Sequence, residues 1–192
     1  MVNSIAITQF ESFYAISAQA FDNNQEAFEN NVRRYLQLKE MLHNRDVSLD
    51  ADFQRLYSYF YGLNRALSVQ QKAAYFSRLE RMKDTDYQIN VRALTEELRP
   101  SLGKYHFSFC SKMANIVDDE LYPIYDRNVR RVFHRANLGH GLDYWENIYQ
   151  DITDTYQCLM NHPVIKCFEN RFNSHGMGYM KVLDALFWVI GR

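Results

Sequence analysis

An all-α fold is predicted by three features of the sequence. Apolar residues recur with helical spacing along most of the chain, capping residues stand where several such runs begin, and no run alternates as a half-buried strand would. The elements follow in order. Phe28, Val32, Tyr35, Leu36 and Leu42 mark one helical stripe. Phe53, Leu56, Tyr57, Phe60 and Leu63 mark a second, with Asp50 placed as its N-cap. Ser68 and Gln71 have the spacing of a capping box, and the helix they open turns Ala73, Phe76, Leu79 and Met82 inward. Asn90 starts a short helix through Val91, Leu94 and Leu98, which Pro100 is expected to stop. A longer helix covers Tyr144 to Met160 and breaks at Asn161-His162-Pro163. Gly176-Met177-Gly178 interrupts the chain again before a last helix, Tyr179 to Ile190. Connections are short and no internal repeat is present. The expected architecture is one compact multi-helix domain over residues 1–192, or two helical lobes at 1–100 and 101–192.

Composition narrows the class further. With 192 residues, 47% hydrophobic and 23% charged, the chain can bury a core without a disulfide or metal staple. Its 14 Tyr, 13 Phe and 2 Trp will dominate both that core and any ligand surface. A net charge of −1 excludes a strongly basic surface overall and leaves room for a basic patch on one face. Cys110, Cys158 and Cys167 are odd in number and dispersed, which predicts free thiols and a reducing cytoplasm. The start of the sequence lacks a basic segment followed by an apolar run, and Ala185 to Ile190 is too short to cross a bilayer, so no membrane association is expected. His106 with Cys110, and Cys158 with His162, are spaced to share a helical face, but nothing in the sequence unites the two pairs. No Walker loop or dinucleotide fingerprint occurs. Neither a metal nor a cofactor is expected.

The informative segment is 104–135. It contains Lys112-Met113-Ala114-Asn115-Ile116-Val117, then Pro123, then Tyr125-Asp126-Arg127-Asn128-Val129-Arg130-Arg131-Val132. This run resembles the helix-hairpin-helix DNA glycosylases of the endonuclease III type, which carry Lys-x-Ala-Asn-Val-Val, a proline, and Val-Asp-x-x-Val-x-Arg-Val. The resemblance covers about a tenth of the chain. It implies a helix-hairpin-helix-glycosylase-like fold, DNA as partner, Lys112 as the nucleophile that attacks the sugar, and Asp126 as its assistant. Ser108 and Cys110 stand where that family has its hairpin glycines, and three dispersed cysteines rule out the four-cysteine iron–sulfur cluster of many members. The segment is also similar to a sparsely characterised bacterial all-helical family. Phe107 or Phe109 with Ser111-Lys112, then Pro123-Ile124-Tyr125-Asp126, then Lys181-Val182-Leu183-Asp184, carry that likeness.

The residues suit such chemistry. A nucleophilic lysine must be neutral, which burial or a neighbouring cation such as Arg130 or Arg131 would favour. A carboxylate near the sugar would steady positive charge at the anomeric carbon. Phe107, Phe109, Tyr122 and Tyr125 are candidates for stacking on an extruded base. Arg127, Arg130, Arg131 and Arg135 form the most basic stretch of the chain and are candidates for phosphate contact. The competing reading gives Asp126 only an N-cap role and Lys112 a place on a solvated helix face. It would make the chain a non-catalytic interaction or DNA-binding protein. A third reading is an oligomer assembled through the aromatic runs at Tyr57–Tyr61 or Phe187–Trp188.

Overall fold

The computed structural model describes residues 25–83, 88–133, 141–172 and 174–190. Among the described residues every regular element is helical: α1 (Gln25–Asn44), α2 (Ala51–Tyr61), a 3₁₀ turn (Leu63–Arg65), α3 (Val69–Met82), α4 (Val91–Leu102), α5 (Phe107–Val117), α6 (Arg127–Phe133), α7 (Leu142–Leu159), α8 (Pro163–Phe172) and α9 (Tyr179–Ile190). The caps explain where they start. Asp50 accepts from the Phe53 amide at 2.8 Å, and Asn90 from the Ala93 amide at 2.8 Å. Ser68 and Gln71 satisfy each other's amides as a capping box. Pro163 opens α8, a position where its missing N–H leaves nothing unsatisfied.

Pro100 does not stop α4. The helix runs on to Leu102 and ends at Gly103, whose φ of 78° is left-handed and whose N–H reaches the Arg99 carbonyl at 2.9 Å. So near the C-terminus, proline removes only one intrahelical bond, and the left-handed glycine does the terminating. The turn from α4 to α5 therefore lies at 103–106. Ser108 and Cys110, at the glycine positions of the glycosylase hairpin, are inside α5, so that part of the resemblance does not carry over.

Helix α5 lies at the centre, with every residue from Cys110 to Ile116 buried. It packs on α4 and α1; α9 packs on α6 and α8; α1 also meets α2 and α8. The buried apolar side chains form one cluster that runs from Val32 on α1 to Phe187 on α9. Tyrosines supply much of it, and several of their buried hydroxyls are paired. Tyr57 and Tyr75 share a hydrogen bond of 2.9 Å, and Tyr75 donates to the Phe109 carbonyl at 2.8 Å. Of the aromatic runs Tyr57–Tyr61 and Phe187–Trp188, Tyr57, Tyr61 and Phe187 are buried in this cluster, Phe60 and Trp188 are half-buried, and Tyr59 is exposed. No described helix is long and apolar enough to cross a membrane.

Candidate functional site

The segment between α5 and α6 is extended, and buried polar side chains fix it from three sides. Asn115 on α5 donates to the Tyr122 carbonyl at 2.7 Å. The Ile124 amide donates to both oxygens of Asp184 on α9, at 3.0 and 2.9 Å. The Tyr125 amide donates to the Ser111 hydroxyl at 2.9 Å, and that hydroxyl donates to the Ser108 carbonyl at 3.0 Å. Tyr122 is held in turn by the Ile89 amide, 2.7 Å from its hydroxyl oxygen. Buried backbone groups need such partners, and these partners leave the next residue, Asp126, in one place.

Asp126 has two jobs. Its Oδ1 accepts from the Asn128 amide at 2.9 Å, and its carbonyl from Arg130 at 2.9 Å, so it caps α6. Its Oδ2 lies 3.7 Å from Lys112 Nζ. The N-cap reading of Asp126 is thus correct but incomplete, and Lys112 is not on a solvated face. Lys112 is 8% exposed, its amine 3.5 Å from the Tyr61 carbonyl and 5.4 Å from the Phe109 ring centroid. Burial lowers its pKa, and Asp126 opposes part of that shift. A nearby arginine is not the cause. Arg130 points its guanidinium toward the Tyr125 hydroxyl at 3.5 Å instead.

Lys112 and Asp126 open into a cavity of about 350 Å³, at the small end of ligand-binding pockets. Helix α9 supplies another wall, with Lys181, Asp184 and Trp188. Asp184 is 3% exposed; besides the Ile124 amide it accepts from the Tyr156 hydroxyl at 3.3 Å. Burial raises its pKa to about 8, against the opposing pull of Lys181 and of its hydrogen bonds. Burial also pushes the Lys181 amine below the ordinary lysine range. The start of α9 is tied down beside Asp119. That buried carboxylate accepts from the Tyr35 hydroxyl at 2.9 Å and the Gly178 amide at 2.7 Å, and pairs with Lys39. A Cβ on Gly178 would come 2.3 Å from the Asp119 carbonyl oxygen. Only glycine lets the two backbones meet there.

The other predicted residues are placed differently. Phe107, Tyr122 and Tyr125 are buried, with Phe107 edge-on to Tyr125 at 5.3 Å; Phe109 is half-buried and stacks on His106. None of the four lines the cavity. Its rings come from elsewhere: Phe28 and Tyr35 on α1, Tyr59, Phe60 and Tyr61 on α2, Phe168 on α8, and Trp188 on α9. Of these, Tyr59 is 67% exposed, with the Arg34 guanidinium 5.4 Å from its centroid. Arg127 and Arg131 are exposed on α6, and Arg130 is half-buried. These three do not line the cavity, although Val129 of the same helix does. Arg135 lies outside the described residues. Among the described residues no group of three or more His, Cys, Asp or Glu could hold a metal ion; Cys110 is buried, while Cys158 and Cys167 are exposed.

Sequence reasoning gave Lys181 and Asp184 no role beyond a matching pattern, and it passed over Asp119. The signal was present: Lys181 and Asp184 are the only charges on a helix that reads Tyr-Met-Lys-Val-Leu-Asp-Ala-Leu-Phe-Trp-Val-Ile. Charges on an otherwise apolar helix must be buried, and buried charges need a reason. Comparison of the chain with protein-family models, curated proteins and solved structures gives no match.

Proposed function

We propose that this chain is a divergent DNA glycosylase-like protein that binds DNA and excises a base with Lys112 as nucleophile. The observation that carries this reading is the approach of Lys112 Nζ to Asp126 Oδ2, 3.7 Å apart in the wall of one hollow. A flipped nucleotide is the substrate. The neutral Lys112 amine gives its lone pair to C1′ of the sugar; the C1′–N bond to the base breaks, and its electron pair leaves with the base, which takes up a proton. The Asp126 carboxylate steadies the positive charge that develops at C1′. Nζ then loses a proton, the C1′–O4′ bond opens with its electron pair going to O4′, which takes up a proton, and a protonated imine joins lysine and sugar. Burial supports the first step because it disfavours the ammonium form of Lys112. Aromatic rings of the cavity, rather than those of α5, receive the base, and Arg127, Arg130 and Arg131 on α6 contact phosphates.

The test is borohydride trapping on abasic and lesion-bearing duplexes. Hydride reduces the imine to a stable secondary amine, and a covalent adduct at Lys112 is the expected product. Lys112→Gln should abolish it. Absence of any adduct with the parent chain overturns the enzymatic reading. Salt-sensitive duplex binding without turnover then leaves the second one, a DNA-binding module, which is favoured by a single observation: Asp126 already serves as the cap of α6.

A further inference from the structure

Two hydrogen-bond donors on residues that line the cavity have no partner among the described residues. Lys181 projects its amine among three rings, 5.2 Å from the Tyr35 centroid and 5.7 Å from those of Phe60 and Tyr61. Among the described residues it has no ion pair within 4.0 Å and no hydrogen bond from that amine. The nearest carboxylate in sequence, Asp184, is taken up by the Ile124 amide and the Tyr156 hydroxyl. The second donor is the Tyr61 hydroxyl, which is buried without a partner in a residue 7% exposed. A buried donor is costly to leave unpaired, and the half-buried Lys181 brings an amine to the same hollow. Two donors in one hollow call for an acceptor that arrives with a ligand. Charge selects the kind of acceptor. Two amines, Lys112 and Lys181, and two acids, Asp126 and Asp184, line the cavity; Asp126 lies beside Lys112, and Asp184 is committed to the Ile124 amide and the Tyr156 hydroxyl. A lysine amine binds phosphate as a point charge, and the hydroxyl adds a directed bond.

We propose that Lys181 and Tyr61 form an anion seat that takes the phosphate of a sugar phosphate and so presents the sugar carbon to Lys112. Both amines lie within 6 Å of one ring centroid, that of Tyr61: Lys112 at 5.9 Å and Lys181 at 5.7 Å. The presentation to Lys112 rests on the function proposed above; the seat itself rests only on the two unpaired donors.

Two measurements test it. In the first, inorganic phosphate is added at ionic strength matched with chloride, and thermal unfolding is followed. Phosphate should raise the midpoint of the parent chain above the chloride control, and Lys181→Gln should remove the difference. In the second, 2-deoxyribose 5-phosphate and 2-deoxyribose are offered with cyanoborohydride, and adducts are mapped by mass. The amine attacks the aldehyde carbon, oxygen leaves as water, and hydride fixes the imine. The phosphorylated sugar should label Lys112 at least about tenfold faster. That ratio should fall toward one in Lys181→Gln and by about threefold in Tyr61→Phe. Tyr61→Phe removes only an unpaired hydroxyl, so it carries the test if Lys181→Gln folds poorly. An abasic duplex with a neutral methylphosphonate 5′ to the lesion separates the sources: weaker trapping assigns the seat to a phosphate of the strand, unchanged trapping to a free sugar phosphate. No phosphate-specific stabilisation together with a labelling ratio near one overturns the seat, as does a ratio that survives both substitutions. If neither sugar labels Lys112, the lysine mechanism fails, and the phosphate-induced shift alone decides the seat.

Discussion

Lys112 and Asp126 meet across two elements, α5 and the start of α6, whereas Lys181 and Asp184 sit one turn apart on α9. In the first pair the carboxylate divides its oxygens, one to a backbone amide and one toward the amine. In the second, the carboxylate is committed to the Ile124 amide and the Tyr156 hydroxyl, and the amine beside it goes unpaired. Residue types are the same; the partners already taken by each acid are not. A carboxylate that holds the fold is not available to its neighbouring lysine. The α9 pair therefore does two separate things, with Asp184 clamping the segment that carries Asp126 and Lys181 left to meet a ligand.

The largest effect should come from breaking the clamp. Asp184→Ala strands a buried amide and a buried hydroxyl, which should cost about 4 kcal/mol, read as a lower urea midpoint. It should also release the 122–126 segment and weaken trapping at Lys112. Titration gives this acid a signature. Its folded pKa of about 8 exceeds the ordinary aspartate value of 3.8, so between those limits the folded chain holds a proton that the unfolded chain has lost. The stability tied to Asp184 is complete below pH 3.8 and is lost as pH rises through about 8. Lys112 and Lys181, both lowered by burial, act the opposite way, favouring the folded chain as pH rises. Asp184→Asn removes only the first contribution. Its stability should decline less than the parent's as pH is raised from 5 to 8, in the range on the order of the acid's shifted titration. A parallel decline in both chains would mean that Asp184 is ionised throughout.

Gly178→Ala attacks the same wall from its other end. The new methyl carbon would meet backbone at 2.3 Å, where no side chain can rotate away. Loss of about 3 kcal/mol is expected from overpacking, together with a displaced Lys181 and a smaller phosphate response. If the phosphate response stays intact while the fold is weakened, α9 is positioned by its packing on α6 and α8 rather than by Asp119.

Much of the first pair was legible in the sequence, and little of the second. Helical periodicity and the caps at Asp50, Ser68 and Asn90 are local signals, so α2, α3 and α4 could be placed at their N-termini. The end of α4 was misjudged because Pro100 is a strong local symbol, whereas Gly103 acts through a left-handed φ that no periodicity displays. Lys112 and Asp126 stood out through a motif, although their meeting depends on hydrogen bonds reaching from Ser111 and from Asp184, which is 60 residues beyond Ile124. The stacking rings were misplaced for a related reason. Phe107 and Tyr125 are near Lys112 in sequence, but the hollow into which Lys112 opens takes its rings from α1, α2, α8 and α9. Proximity along a helix says nothing about which neighbouring element closes the space.

Ser111→Ala sharpens the comparison at intermediate cost. The Tyr125 amide would lose its acceptor in a buried position, for about 2 kcal/mol. Asp126 follows directly, so its distance from Lys112 should become less uniform, and trapping should slow more than stability loss alone explains. Ser111→Thr keeps the hydroxyl and should restore much of the rate. If alanine and threonine variants trap equally well, the Asp184 clamp is enough to place Asp126.

The smallest change in stability should come from Asp126→Asn, which separates the two jobs of this side chain. Asparagine caps a helix as well as aspartate does, so the bond to the Asn128 amide survives. The lost ion pair is long and its acid is 23% exposed, which limits the cost to about 1 kcal/mol or less. The chemistry should change far more. Asp126 supports the ammonium form of Lys112, so removing its charge lets the amine lose its proton at lower pH. The acid limb of imine trapping on abasic DNA should then move down by about one pH unit, because that step needs only a neutral amine. Base excision should slow instead, since the carboxylate no longer steadies charge at C1′. Opposite responses of the two steps would assign Asp126 an electrostatic role beside its cap; parallel responses, or none, would leave it a cap alone.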